Sequence, residues 1–309
     1  MGVVGVGEAE RLWQVYIAYL LLAAGWSSMN VVAISILVSA WFAKKKRVAI
    51  SMALNGASIG GMICVPLLSW AAARTELSNV TKLGALAVLL VLVPLALLWA
   101  RWPPHYASNG AGTTHEKAGS GKWRGILGTW SFWSVCLPFA IALFVQVGFL
   151  VHAVSVLEPT MGRASAGTAV SAIALSAVLG RFLLATLPSR IRLRQMSAVS
   201  LGSQAVAFAV LTTAPSVWLQ FGACLLFGLS VGNTITLPPL IYQDEMPPDA
   251  FPHALGLSTA IGQGLYAGGP VVIGFLAQIT GGYTASLALC CALNATAAAL
   301  LLRRPRHAG

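Results

Sequence analysis

Five side chains able to do chemistry lie within or at the end of long apolar runs of this sequence, where a charge or an amide is rare and costly: Arg181, His152, Asn30, Gln146 and Asn233. Arg181 follows Gly180 within the run 166–187 and carries a permanent planar cation whose N–H fork suits a carboxylate bidentately. Two readings of it stand side by side. The guanidinium faces a cavity and holds an anionic solute, or its stem lies along the helix and lets the head reach the nearer interface. His152 follows the run 129–151, and an imidazole ordinarily titrates near ~6.5. It either takes up a proton at that end of the helix or is an interfacial residue. Asn30, Gln146 and Asn233 are each near mid-run, and an amide there either hydrogen-bonds a solute or ties one helix to the next.

The rest of the composition narrows the chemistry. All eight acids (Glu8, Glu10, Glu76, Glu116, Glu158, Asp244, Glu245 and Asp249) fall at or beyond the ends of apolar runs. No paired acids or His–acid cluster is left inside for general acid–base or metal chemistry, so an enzyme is not expected. The five cysteines (Cys64, Cys136, Cys224, Cys290 and Cys291) sit in apolar runs with no CxxC spacing, so we expect small packing residues and no bound metal, cofactor or disulfide framework. A net charge of +11 is compatible with a nucleic-acid binder only if the cations share a soluble face. Here they sit at the ends of apolar runs, and no nucleic-acid partner is expected.

The elements that must position these residues follow from hydropathy. With 57% hydrophobic and 9% charged residues, the apolar surface of 309 residues does not fit inside one soluble core. The expectation is an all-α polytopic membrane protein of about nine spans, near residues 12–42, 48–73, 83–102, 129–151, 166–187, 196–214, 217–242, 253–278 and 283–302. Its partner is the lipid bilayer. Glu8 and Glu10 stand where a secretory signal would be basic, so no cleaved leader is expected.

Lys44, Lys45, Lys46 and Arg47 form a basic loop between two of these runs, and such loops stay on the cytoplasmic side. Alternation from that loop puts 14 of the 19 cations inside, with the N-terminus outside and the placement fitting a cell (inner) membrane. Residues 103–125 are rich in Gly, Ser, Thr and Pro and read as a cytoplasmic linker. They separate an incomplete three-span bundle, 1–102, from a six-span bundle, 126–309.

Small residues recur every fourth position at Gly56, Gly60 and Cys64 before Pro66, a stripe that allows close helix packing without a hydrophobic drive. At an offset of 204 residues, Ala260, Gly264 and Gly268 precede Pro270. In the preceding runs Trp26, Ser27, Ser28 and Asn30 correspond to Ser230, Asn233 and Thr234. Paired polar breaks in an internal repeat mark the binding region of many carriers. The helix-packing residues expected from the repeat are Gly56, Gly60, Ala260 and Gly264.

Three stretches resemble the major facilitator superfamily and, within it, the monocarboxylate and oxalate–formate transporter branch. Trp41-Phe42 precedes the basic loop and the small-residue passage over 49–60, with Arg47-Val48 in place of the usual basic residue and glycine. Phe132-Trp133, with His152 and Leu157, is similar to the branch's seventh span. Gly180-Arg181 leading to Arg190 is similar to the loop after the eighth span, although Ser189 replaces the common acid and Ala177 stands where the branch often has one.

The resemblance implies a helical bundle that moves a small solute by alternating access, most readily an organic anion such as a monocarboxylate with a coupled ion. It also implies a chain that starts at about the fourth of twelve spans. A shortened carrier leaves a second reading, a remnant or sensor that transports nothing.

Overall fold

The computed structural model describes residues 2–28, 31–42, 48–50, 52, 53, 56, 60, 63, 67, 71, 74–99, 122–186, 192–213 and 216–303. Among them every regular element is a helix. We number these α1 (Gly2–Gly7), α2 (Leu12–Ser28), α3 (Val31–Trp41), α4 (Leu77–Trp99), α5 (Lys122–Leu127), α6 (Trp130–Met161), α7 (Arg163–Thr186), α8 (Leu193–Thr213), α9 (Val217–Glu245), α10 (Phe251–Thr280) and α11 (Thr284–Leu302). Seven, α4 and α6 to α11, are long and apolar enough to cross a bilayer, and α2 is a shorter apolar helix. The protein is therefore a multi-pass integral membrane protein.

About nine spans were expected, and the difference has a local origin. The run 12–42 is carried by α2 and α3 on either side of residues 29 and 30, and the run 48–73 is described at only scattered positions. Asn30, the basic loop 44–47, Cys64, Pro66, residues 103–121 of the linker and the terminal Arg304 and Arg306 lie outside the described residues. The six later runs each correspond to one helix. α6 reaches Met161 instead of residue 151, running on through Pro159 and ending at Gly162, whose φ of 76° only glycine adopts without strain. At 32 residues it is ~48 Å long and overshoots a ~30 Å hydrocarbon core.

The chain divides into two compact units, Met1–Ala49 with Gly56–Lys117, and Ile50–Asn55 with Ala118–Gly309. In the first, α1 lies against α2 and α4, where Gly5 approaches Ala18 and Gly7 approaches Thr81. Glu8, just past α1, pairs with Lys82 of α4 at 2.7 Å and accepts a hydrogen bond from Ser78. Leu83, Leu86, Leu89, Leu90 and Leu97 of α4 are more than half exposed, as expected of a surface meant for lipid.

In the second unit α6 packs on α10 and α11, α7 on α9, and α8 on both α9 and α11. At its centre Phe149, Phe208 and Phe227, from α6, α8 and α9, meet edge to face with centroids 5.0 to 5.2 Å apart. Each is at most 1% exposed, and this cluster ties α8 to α6 and α9, which carry Gln146, His152 and Asn233.

Candidate functional site

The α7–α9 seam holds the one charged side chain buried within a span among the described residues. The sequence GLSVG places Gly228 and Gly232 one turn apart on α9, facing α7, and α7 returns Gly180. A Cβ on Gly228 would meet the Ile173 carbonyl oxygen at 2.6 Å, one on Gly232 would meet that of Ala177 at 2.5 Å, and one on Gly180 would strike that of Leu229. Backbones approach this closely only where side chains are absent. Arg181 crosses the seam at 6% exposure and donates from Nε to the Gly232 carbonyl at 3.3 Å. Its Cγ and Nε lie 2.7 and 3.0 Å from the position a Gly232 Cβ would take. Gly232 thus makes room for the arginine and also accepts its hydrogen bond.

On the flank of the same seam a cavity of about 290 Å³ runs between α7, α8 and α9. Its walls are mostly apolar, and its polar lining comes from Gln195, Ser200, Ser203, Ser230 and Asn233. Three of these hydroxyls donate to helix carbonyls: Ser200 to Ser230, Ser203 to Ser200, and Ser230 to Phe227. Arg181 is not part of the lining, but its neighbour Gly180 is, and Asn233 follows its acceptor Gly232. The amide oxygens of Asn233 and of Gln146 on α6 are buried with no hydrogen-bond partner among the described residues. Arg181 and Asn233 are thus brought to one stretch of α9. Gln146 stands apart on α6.

His152 of α6 is held from two other helices. Its Nε2 is 3.0 Å from the Pro270 carbonyl of α10, and its Nδ1 is 3.2 Å from the hydroxyl of Tyr283 at the start of α11. Gly274, one turn beyond Pro270, leaves space for the ring: a Cβ there would lie 3.1 Å from both Cε1 and Nε2. Gly281, with a φ of 71°, ends α10 in the left-handed conformation and turns the chain so that Tyr283 comes back over α6. The ring is partly buried and fully engaged.

Close packing in the second unit is made at glycines that the repeat did not single out. A Cβ on Gly56, Gly60 or Gly264 meets nothing within 4 Å among the described residues, and Ala260 is exposed. Close contact is made at Gly180, Gly228 and Gly232, and where Gly148 of α6 meets Gly269 of α10, 2.9 Å from a Cβ on Gly148 to the Gly269 oxygen. The GxxxG spacing at Gly228 and Gly232 was the available signal for the first of these.

Two further constellations were not read from the sequence. Gln204, fully buried, donates to Thr234 Oγ1 at 3.3 Å and accepts from Asn294 Nδ2 at 3.3 Å, so interhelical polar contact between α8, α9 and α11 runs through Gln204 and Asn294, neither of which was singled out. Arg194, at the start of α8, holds Glu245, at the end of α9, through two parallel bonds of 2.6 and 2.7 Å, and reaches Ser134 Oγ at 2.8 Å. This fork clasps the ends of three helices at one face of the unit. Among the described residues no group of three or more His, Cys, Asp or Glu is placed to hold a metal.

A helical bundle with buried ionisable groups on two of its spans fits several membrane-protein families, and sequence comparison decides among them. The Major Facilitator Superfamily matches over residues 2–268. The chain belongs to that superfamily. Its members are secondary active transporters and not enzymes. The fold is also that of a solved carrier, a variant of the E. coli fucose:proton symporter FucP, with a TM-score of 0.75 over 98% of this chain and 81% of that one. At 14% identity the likeness is one of fold. No curated protein matches the chain in sequence. In this superfamily member the described geometry supplies a buried guanidinium, two unpaired amide oxygens and an engaged imidazole, all on spans of one unit.

Proposed function

We propose that this superfamily member carries a small organic anion, a monocarboxylate in chemical class, across the cell (inner) membrane with a coupled ion, and that Arg181 holds the carboxylate. The observation that carries the reading is a permanent cation at 6% exposure within a span of a transporter-family chain. Ionisable residues at such positions face bundle interiors and mark solute paths. The sequence stretches around Trp41-Phe42, Phe132-Trp133 and Gly180-Arg181 support the monocarboxylate branch. Asn233, which follows the arginine's acceptor, supplies an amide beside the cavity. Rocking of the two bundles expected on either side of residues 103–125 would then expose the site alternately to each side.

A second reading is favoured by a different observation. The unpaired amide oxygens of Gln146 and Asn233 are acceptors, and they suit the hydroxyls of a neutral sugar as well as they suit a hydroxy acid. The fold neighbour carries fucose with a proton.

Uptake of labelled formate, acetate, lactate, oxalate and fucose by proteoliposomes containing the full chain separates the two. Saturable carboxylate uptake that is lost in Arg181→Gln, with unchanged incorporation into the liposomes, is the expected result. Fucose uptake that survives Arg181→Gln would establish the neutral-solute reading. A chain that moves none of the five would be the non-transporting remnant.

A further inference from the structure

We infer that His152 is the proton-binding site of this carrier and that Tyr283 is the partner that lets it change charge without losing a hydrogen bond. The pairing itself stands on geometry, and its use in transport rests on the reading of the chain as a coupled carrier. A backbone carbonyl only accepts, so the contact with Pro270 fixes a proton on Nε2. In the neutral ring Nδ1 is then bare, and the Tyr283 hydroxyl donates to it.

When a proton arrives, its new bond forms to the Nδ1 lone pair. The Tyr283 hydroxyl turns to accept, and the Nε2–H bond to Pro270 persists in charge-assisted form. No other bond is broken. A hydroxyl is the partner that serves both states, since a second carbonyl would require the imidazolium and an N–H donor would forbid it. The ring lies against α10 because Gly274 has no side chain, and it joins α6, α10 and α11 at one point. Protonation is thereby felt by three spans.

Histidine is the side chain whose charge ordinarily changes between pH 5 and 8. The acids of this chain all lie at or beyond the ends of its apolar runs. The titratable groups on the surrounding elements are few. On α11 they are Tyr283 itself, and Cys290 and Cys291 two turns on. On α10 they are Tyr266, exposed one turn before Pro270, and His253 at the far end. On α6 Glu158 is exposed six residues beyond the ring and Cys136 lies toward the opposite end, and α7 carries Arg163 at its start and Arg181 toward its far end. On α9, which also meets α6, Cys224 lies within the helix and Tyr242, Asp244 and Glu245 at its far end. On the orientation expected from the basic loops, His152 faces the outer side.

The test needs no identified solute for its first arm. Deuterium exchange at the imidazole carbon, followed by mass spectrometry of the full chain in nanodiscs from pH 5 to 9, reads the charge state of each histidine separately. A sigmoidal pH dependence for His152, displaced in Tyr283→Phe, is expected. A flat profile overturns the site, and an identical profile in Tyr283→Phe overturns the role of the hydroxyl. The second arm uses whichever of the five labelled solutes the wild-type protein carries. In His152→Gln, whose amide can keep both neutral-state bonds, an inward acid gradient no longer accelerates uptake while gradient-free exchange continues. Acceleration that persists in His152→Gln overturns the assignment. Absence of all uptake in the wild type would sink the transport reading while the titration arm still reports on the site.

Discussion

Replacing Gly232 with alanine tests the seam that positions Arg181, and its size can be worked from the structure. The new Cβ would stand 2.5 Å from the Ala177 oxygen, whereas non-bonded contact settles at about 3.5 Å, so α9 must withdraw from α7 by roughly 1 Å. The obstacle is backbone, which cannot swing aside as a side-chain tip can. Withdrawal also loosens the neighbouring contacts at Gly180 and Gly228 and pushes on Arg181, whose Cγ would be 2.7 Å from the added carbon. Overpacking of this kind costs about 1–3 kcal/mol. Alanine also favours a helix over glycine by up to ~1 kcal/mol, which would mask part of the loss.

Gly264→Ala supplies the correction, because a Cβ there meets nothing within 4 Å among the described residues and the propensity gain is common to both variants. The difference between their apparent melting temperatures in the same detergent therefore isolates the steric cost. Gly232→Ala should melt clearly below Gly264→Ala, and its solute uptake should fall with the displaced guanidinium. Equal melting of the two would refute the reasoning about the seam, whatever happened to uptake.

Glu245→Gln should lower the melting temperature by an amount equivalent to about 2 kcal/mol, because it leaves the mostly buried Arg194 without its charged acceptor. A paired Arg194→Met, Glu245→Leu protein should recover part of that loss, and a single variant as stable as the wild type would show that the clasp carries no weight. The contact of α1 with α4 should depend on acid. Lys82, then Ser78, hold the Glu8 carboxyl below the usual glutamate range, so the stabilisation is complete above that range and is lost as the pH falls through the lowered value. The protection of amides 2–8, relative to their intrinsic exchange rates at each pH, should fall there, and Lys82→Gln should abolish the acid dependence; protection that ignores both would sever the link.

The bundle was legible in the sequence because hydropathy is a property of long stretches, and six helices of the second unit fall close to the runs read from composition alone. Helix ends were less so. α6 continues past residue 151 since helix termination depends on a single backbone conformation at Gly162, which hydropathy does not encode. The packing glycines show the same limit more sharply. The Gly228–Gly232 spacing satisfies a small-residue pattern and meets a neighbouring backbone, whereas most residues around Gly56 and Gly60 lie outside the described ones. A stripe states that an approach is allowed and leaves open which helix makes it. Gln204 and Asn294 escaped notice for a related reason: the bond that joins them spans 90 residues of sequence and has no local period.

Arg181 and His152 lie on different helices, but each makes a hydrogen bond to a backbone carbonyl of another helix beside a glycine. Within a bilayer there is no water to satisfy a donor, and a helix carbonyl keeps a second lone pair after its own i+4 bond is made. At Gly232 that second position is shared, because Thr236 Oγ1 donates to the same oxygen at 3.1 Å. The lone pair is normally shielded by neighbouring side chains, and a glycine nearby uncovers it. Gly232 does so for Arg181, and Gly274 does so for the Pro270 carbonyl that binds His152. This geometry gives a buried donor a partner without an acid on the facing helix. It holds the side chain to the backbone of a span, so any change in charge or ligation at Arg181 or His152 acts directly on α9 or α10. In a carrier that works by moving helices past one another, that is the coupling the proposed solute and proton sites would require.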